Sequence, residues 1–277
     1  DLIQSSDTKT PFPWTGILFG LTFVMANAYM IGNQSIVQRC LTAKNEWHAK
    51  ASMIFASGLK MLIPILVLFP GLMAIIIHPG LEDGDQSLPM MIKSILPPGL
   101  IGLVFAAFFA GLMSSVDSIL NSTATLFTKD IYEPFIKKGA SDVHYLKVGK
   151  LTTLVLLIIG VATSPISSKF PGIYVAVQTF LSFFQGPLFA ILLLGIFWKR
   201  TTQWGGLSGI IIGIGFATVL NLFKGEFFTI EDPFLYVSWW SFLVGFIVTV
   251  TVSLITPRHS DLKLEGLVYK RFGKKDK

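Results

Sequence analysis

Residues that could do chemistry are sparse in this chain, and most of them sit inside long apolar runs. The densest group is Gly111-Leu112-Met113-Ser114-Ser115-Val116-Asp117-Ser118, with three serines and a carboxylate. On a helix, positions 111, 114, 115 and 118 share one face, while 114, 117, 118 and 121 form an adjoining stripe. Oxygen ligands gathered at that density suit a hard cation such as Na⁺. Gly111 would offer its carbonyl and Ser114 and Ser115 their hydroxyls, while Asp117, with Ser118, supplies the charge for a second cation or a proton. The competing reading is small-residue helix packing, with hydroxyls bonded back to the preceding turn.

Three further places carry expensive polarity. Lys60 stands about ten residues inside its apolar run, with Pro64 four residues on, too deep to snorkel easily. It could bond a solute hydroxyl or carboxylate, or balance an acid. Met25-Ala26-Asn27-Ala28-Tyr29-Met30-Ile31-Gly32-Asn33-Gln34-Ser35 has the composition of a discontinuous helix. Gly32 weakens it, and Asn27, Asn33 and Gln34 can bond freed backbone groups, which also makes Asn27 a candidate solute contact. Gln178, ahead of Ser182, Gln185, Gly186 and Pro187, reads equally well as a solute contact or as glue between helices. No nucleotide loop, Cys/His metal spacing or Ser-His-Asp arrangement is present, and the four histidines lie near the ends of apolar runs. The chain is therefore not expected to be an enzyme.

The elements that must hold these residues follow from composition. Of 277 residues, 52% are apolar and only 14% charged, and mean hydropathy is +0.66. A soluble domain carries about 25% charged residues. The lone Cys40 excludes a disulfide scaffold. An integral membrane protein fits, with the lipid bilayer as its solvent. Seven stretches are long enough to cross it, at about 13–36, 51–77, 97–127, 148–166, 171–197, 204–223 and 234–256. They lack strand-type alternation and read as helices, because a lipid-exposed backbone must satisfy its own hydrogen bonds.

Threading the chain from the outside inward puts seventeen of the 22 Lys and Arg residues on the cytoplasmic side and four on the other. That places the chain start outside and the end inside a cell membrane, with Glu82-Asp83-Gly84-Asp85 outside. The net charge of +6 thus follows topology rather than pointing to nucleic acid. Residues 1–257 read as one membrane domain and 258–277 as a basic cytoplasmic tail. The first residue is Asp1, and the chain is expected to begin in a loop of a longer polypeptide.

Several motifs together resemble the sodium/solute symporters. Asn33-Gln34-Ser35-Ile36-Val37-Gln38-Arg39-Cys40-Leu41-Thr42-Ala43-Lys44 is similar to that family's NQxIVQRxLxAK stretch. Lys60 with Pro64 and Pro70-Gly71, Met113 through Ser122, Asp130-Ile131-Tyr132 and Gly195-Ile196-Phe197-Trp198-Lys199-Arg200 follow in the family's order, over about residues 13–223. The sodium–glucose and sodium–galactose branch is most similar. The resemblance implies an all-α, LeuT-like inverted-repeat transporter, of which this chain would hold the second five-helix repeat and two further helices. A first repeat of the same polypeptide is then missing.

By the same resemblance, Tyr29 matches an aromatic that closes the sugar site, and Lys60 and Gln178 match sugar contacts. Gly111, Ser114 and Ser115 match half of the main sodium site, and Asp117 and Ser118 a second one found in some members. Ala26, not Asn27, falls at the family's polar sugar position, and Met30 replaces an aromatic. The function implied is Na⁺-coupled symport of a small polar solute, a sugar foremost. Alternatives are proton- or sodium-coupled uptake of a carboxylate, inositol or amino acid, and a passive channel or membrane receptor.

Overall fold

In hydrocarbon a chain must close its backbone hydrogen bonds within each crossing segment, so long apolar runs become helices. A computed structural model of the chain describes residues 10–81, 84–170, 172–230, 232–260, 264 and 268. Among these residues, all regular structure is helical. Six helical segments are long and apolar enough to cross a membrane, and a broken pair, Gly16–Gly32 with Gln34–Leu41, makes a seventh. Each of the seven apolar stretches of the sequence coincides with one of them. Lys9, Glu82, Asp83 and most of the basic tail lie outside the described residues. The chain divides into two units, Asp1–Asn33 with Ile173–Lys277, and Gln34–Gly172.

The first unit begins with π-helical turns, Gly16–Met25, that continue as α1 (Ala26–Gly32). It also holds α8 (Ile173–Phe197), α9 (Gln203–Leu222), the short α10 (Lys224–Phe227) and α11 (Phe234–Ile255). Where lipid replaces water, helices are held together by close approach rather than by burial of oil, and small residues permit it. Gly205, Gly209 and Gly213 are spaced four apart along α9, and all are buried. A Cβ added at Gly205 would stand 2.0 Å from Ser253 Oγ, and one at Gly209 2.0 Å from Thr249 Oγ1, both on α11. At Gly213 it would meet Pro187 of α8 at 2.6 Å, and at Gly186 it would meet Ser241 Oγ at 2.3 Å.

Hydroxyls on α11 bond within their own helix, Thr249 to the Gly245 carbonyl at 2.7 Å and Ser241 to that of Ser238 at 3.1 Å. Their oxygens are also the side-chain atoms that stand nearest the glycines. Val24, Ala28, Phe189, Ala190 and Phe242 form the apolar core, where the Phe23 ring meets Phe189 and Phe242 edge-on. Thr202 caps α9, and Arg200 donates to the Leu254 and Thr256 carbonyls, each at 3.0 Å. The arginine of the Phe197-Trp198-Lys199-Arg200 motif thus neutralises the negative end of α11.

The second unit comprises α2 (Gln34–Leu41), α3 (Glu46–Lys60), α4 (Ile63–Ile77), α5 (Ser87–Ile95), α6 (Pro98–Leu126) and α7 (Asp142–Thr163). Asn45 and Ser141 cap α3 and α7 by accepting from the backbone N–H groups of His48 and His144. The second crossing segment is interrupted by a turn between Lys60 and Ile63. Pro64 is the cause, since it has no N–H to offer the Lys60 carbonyl four residues back. Beyond α6 the chain runs on in π geometry to Ile136. The turn into α7 is tied by the Tyr145 hydroxyl, which donates to the Lys137 carbonyl at 2.8 Å and accepts from the Ala140 N–H at 3.1 Å. His144 is similarly engaged, its Nε2 lying 3.0 Å from the Tyr132 hydroxyl.

The tightest backbone approach in the first unit tests this packing. A Cβ at Gly20 would lie 2.2 Å from the Leu235 carbonyl oxygen, and backbone cannot give way as a side chain can. Gly20→Ala is expected to destabilise the whole protein by about 1–3 kcal/mol, as other overpacked sites do, read as a lowered Tm in detergent.

Candidate functional site

Two polar clusters take shape, one in each unit. In the first, a cavity of about 280 Å³ opens between the π-helical turns, α1 and α8. Leu21, Met25 and Leu181 give it an apolar wall, while Tyr29, Gln178 and Gln185 supply its polarity. Gln178 and Gln185 are seven residues apart on α8, hence on one face and separated by roughly 10 Å of helical rise. None of the cavity's lining residues is an Asp, Glu, Lys, Arg or His. The volume lies just below the ~300 Å³ at which pockets for drug-sized ligands begin.

The polar groups differ in how far they are satisfied. Gln178 is half-buried and donates from Nε2 to the Tyr174 hydroxyl at 2.9 Å, one turn earlier. Tyr29 is 44% exposed. Gln185 is only 7% exposed, and its Oε1 has no hydrogen-bond partner. Asn27 is turned elsewhere: its amide donates to the Thr22 and Phe23 carbonyls at 3.2 and 2.8 Å, where π turns pass into α-helix. Ala26 occupies the cavity wall in its place. Asn33, with φ −81° and ψ 109°, leaves the helical region, and α1 stops at Gly32, so the first span is broken where its composition indicated.

The second cluster is the oxygen face of α6. Ser115 Oγ donates to the Gly111 carbonyl at 3.1 Å, and Ser118 Oγ to that of Ser114 at 2.9 Å. These are the back-bonds expected of serine in any apolar helix. They use the hydroxyl protons and leave the oxygen lone pairs directed off the helix, which is the orientation a cation requires. Among the described residues nothing packs on this face. Gly111, Ser114, Ser115 and Asp117 are all exposed, and a Cβ at Gly111 would meet nothing within 4 Å among the described residues.

Ser118 differs from its neighbours. It is half-buried and lines a second cavity, of about 210 Å³, with Ser35, Arg39, Thr42, Asn121 and Ser122. Arg39 sets a fixed positive charge in the same space, which opposes a cation at Ser118 more than one at Gly111–Ser115. Lys60 ends α3, where the break begins and where a cation is favoured by the helix dipole. Tyr29 and Gln178 thus share one cavity in the first unit, and the α6 residues share one helix face in the second. Gln185 was legible only as a neighbour of Gln178, though its seven-residue spacing places it on the same face.

With this geometry in view, the sodium:solute symporter family model matches residues 3–213, and the chain belongs to that family. It is 33% identical to the sodium/glucose cotransporter of Vibrio parahaemolyticus over 94% of this chain and 50% of that protein. With sodium/myo-inositol cotransporter 2 of Rattus norvegicus it shares 35% identity over 73% of this chain and 32% of that one. With the sodium/mannose cotransporter of Bos taurus the figures are 34%, 93% and 48%. The chain therefore spans between a third and a half of the length of these relatives. A Na⁺-coupled sialic acid symporter, solved in a substrate-bound outward-open state, superposes with a TM-score of 0.71. The match is 23% identical and covers 91% of this chain and 52% of that one. The fold is accordingly LeuT-like and all-helical, that of a multi-pass membrane protein.

Asn27, bonded to its own backbone, should be a structural residue. Asn27→Ala is expected to cost about 1 kcal/mol of stability, the usual net value of such bonds, and to leave the KM for solute within twofold. A large rise in KM at unchanged Tm would place Asn27 on the solute instead.

Proposed function

We propose that this chain forms the part of a Na⁺-coupled symporter that holds half of the sodium site and much of the solute site. The observation that carries this reading is the row of oxygens on one face of α6: the Gly111 carbonyl with the Ser114 and Ser115 hydroxyls. Neutral oxygens of this kind suit an alkali-metal ion, and the family membership supports the choice of Na⁺. The ion's remaining ligands would come from the portion of the family's length that this chain does not span. Asp117 and Ser118 would form a weaker second cation position, opposed by Arg39.

The solute is proposed to be a small neutral polyol, a sugar or an inositol, bound by Tyr29 and Gln178 in the first unit; Lys60 is proposed as a solute contact on the resemblance alone. The glucose, mannose and inositol cotransporters among the relatives support this class. Na⁺ and solute favour the same closed conformation, so each raises the other's affinity. The tail is proposed to lie in the cytoplasm, on the side of the positive charges. Inward movement of one Na⁺ is then driven by about 2.3 kcal/mol per 100 mV, close to fiftyfold accumulation of solute.

The test is uptake by the whole protein in proteoliposomes. Labelled D-glucose, D-mannose or myo-inositol should accumulate with an inward Na⁺ gradient and not with K⁺ or with a pH gradient alone. Ser115→Ala removes one ligand to a charged species, and hydrogen bonds to charged groups contribute about 1.5–3 kcal/mol. Half-saturating Na⁺ should therefore rise at least about tenfold. Uptake driven by protons in the absence of Na⁺, or Na⁺ dependence unchanged in Ser115→Ala, would contradict the reading.

A further inference from the structure

We infer that Gln185 is a solute-binding residue, its Oε1 receiving a hydroxyl of the transported molecule. The inference rests on the polyol reading above and adds to it a residue and a hydrogen-bond polarity. Gln185 is more than nine-tenths buried, yet its side-chain oxygen has no partner, while the side chain lines the same cavity as Tyr29 and Gln178. Buried polar atoms are almost always satisfied, and an exception calls for a missing partner. The neighbours do not supply one, neither the Tyr29 hydroxyl nor the Gln178 amide being bonded to it. Leu21, Met25 and Leu181 offer no donor, and one amide hydrogen of Gln178 is already given to Tyr174.

The element around Gln185 is closely packed, which makes a rearrangement to rescue the orphan difficult. Gly186 and Pro187, the next two residues, are wedged against Ser241 and against Gly213 and Gly245. The carboxamide thus borders the cavity from a closely packed element, with its oxygen unpaired. A site of this kind selects for a donor, because a solute lacking it leaves the oxygen buried and unpaired. A neutral polyol hydroxyl meets that requirement. A carboxylate, which can only accept, does not.

The test compares the whole protein with Gln185→Met, which conserves volume and removes the carbonyl, and with Gln185→Leu as a second variant. Three quantities are read: Tm without solute, the Tm shift produced by D-glucose, D-mannose or myo-inositol, and the KM and Vmax of uptake. A solute-binding Gln185 predicts an unchanged or higher Tm without solute, because an unsatisfied polar atom has been removed. It also predicts loss of the polyol-induced shift and a KM raised at least tenfold with Vmax within about threefold. Among monodeoxyglucoses, one should bind the wild type at least tenfold more weakly than glucose does and bind Gln185→Met no more weakly than glucose does.

A variant with KM unchanged overturns the inference, and so does a fall of several degrees in Tm with KM unchanged, which would make Gln185 a packing residue. If none of the three polyols shifts the wild-type Tm, the proposed ligand class is overturned. Should they shift it without being taken up, and Gln185→Met abolish the shift, the symport reading fails while the assignment of Gln185 stands.

Discussion

Everything distinctive in this structure follows from one constraint: in a hydrocarbon environment each backbone and side-chain polar group must find its partner close by. Most of the chain complies by being ordinary helix. The exceptions are few, and they are local. The first span changes from π to α geometry at Met25–Ala26 and stops at Gly32. The second breaks after Lys60. On α6, serine protons are spent on the preceding turn while their oxygens face outward. Each exception either finds a side chain to satisfy it, as Asn27 satisfies Thr22 and Phe23, or leaves an oxygen available to a ligand.

The two units meet the constraint differently. In the first, α9 and α11 approach through Gly205, Gly209 and Gly213 against Thr249 and Ser253, and α8 joins through Gly186 and Pro187. That packing holds Gln178 and Gln185 on a rigid element, which suits a site where a small solute must be met by fixed groups. In the second unit, no residue in the most apolar window of α6 is buried, and its oxygen face is left open. A face so polar is costly in lipid unless it borders another helix, a cavity, water or an ion.

How much of this could be read beforehand depended on whether the signal was local. Apolar runs marked all seven spans, and the Gly32–Asn33 break was visible because glycine and clustered amides weaken a helix within a few residues. The oxygen face of 111–118 was equally legible, since helical periodicity alone groups those positions. Pro64 was noted four residues after Lys60, and the interruption it causes there emerges from the backbone. Asn27 was read both as a solute contact and as a backbone partner, and its geometry is the second. The four-residue glycine spacing of α9 is plain in the sequence, whereas its matching surface on α11 lies some forty residues away and emerges only from packing. Gln185 is the instructive omission. Its type and spacing matched Gln178, but burial without a partner is a property of three dimensions.

The central claim is that the α6 face carrying Gly111, Ser114 and Ser115 borders a bound Na⁺. Ala107 lies one turn earlier on that face, is exposed, and is not one of the proposed ligands. In the whole protein, otherwise free of cysteine, the modification rate of Ala107→Cys by a membrane-impermeant thiol reagent would be measured in Na⁺ and in K⁺ at equal ionic strength. The account predicts that Na⁺ slows labelling severalfold, with a half-effect at the Na⁺ concentration that half-saturates uptake. Equal rates in the two ions, in protein whose uptake remains Na⁺-dependent, would contradict it.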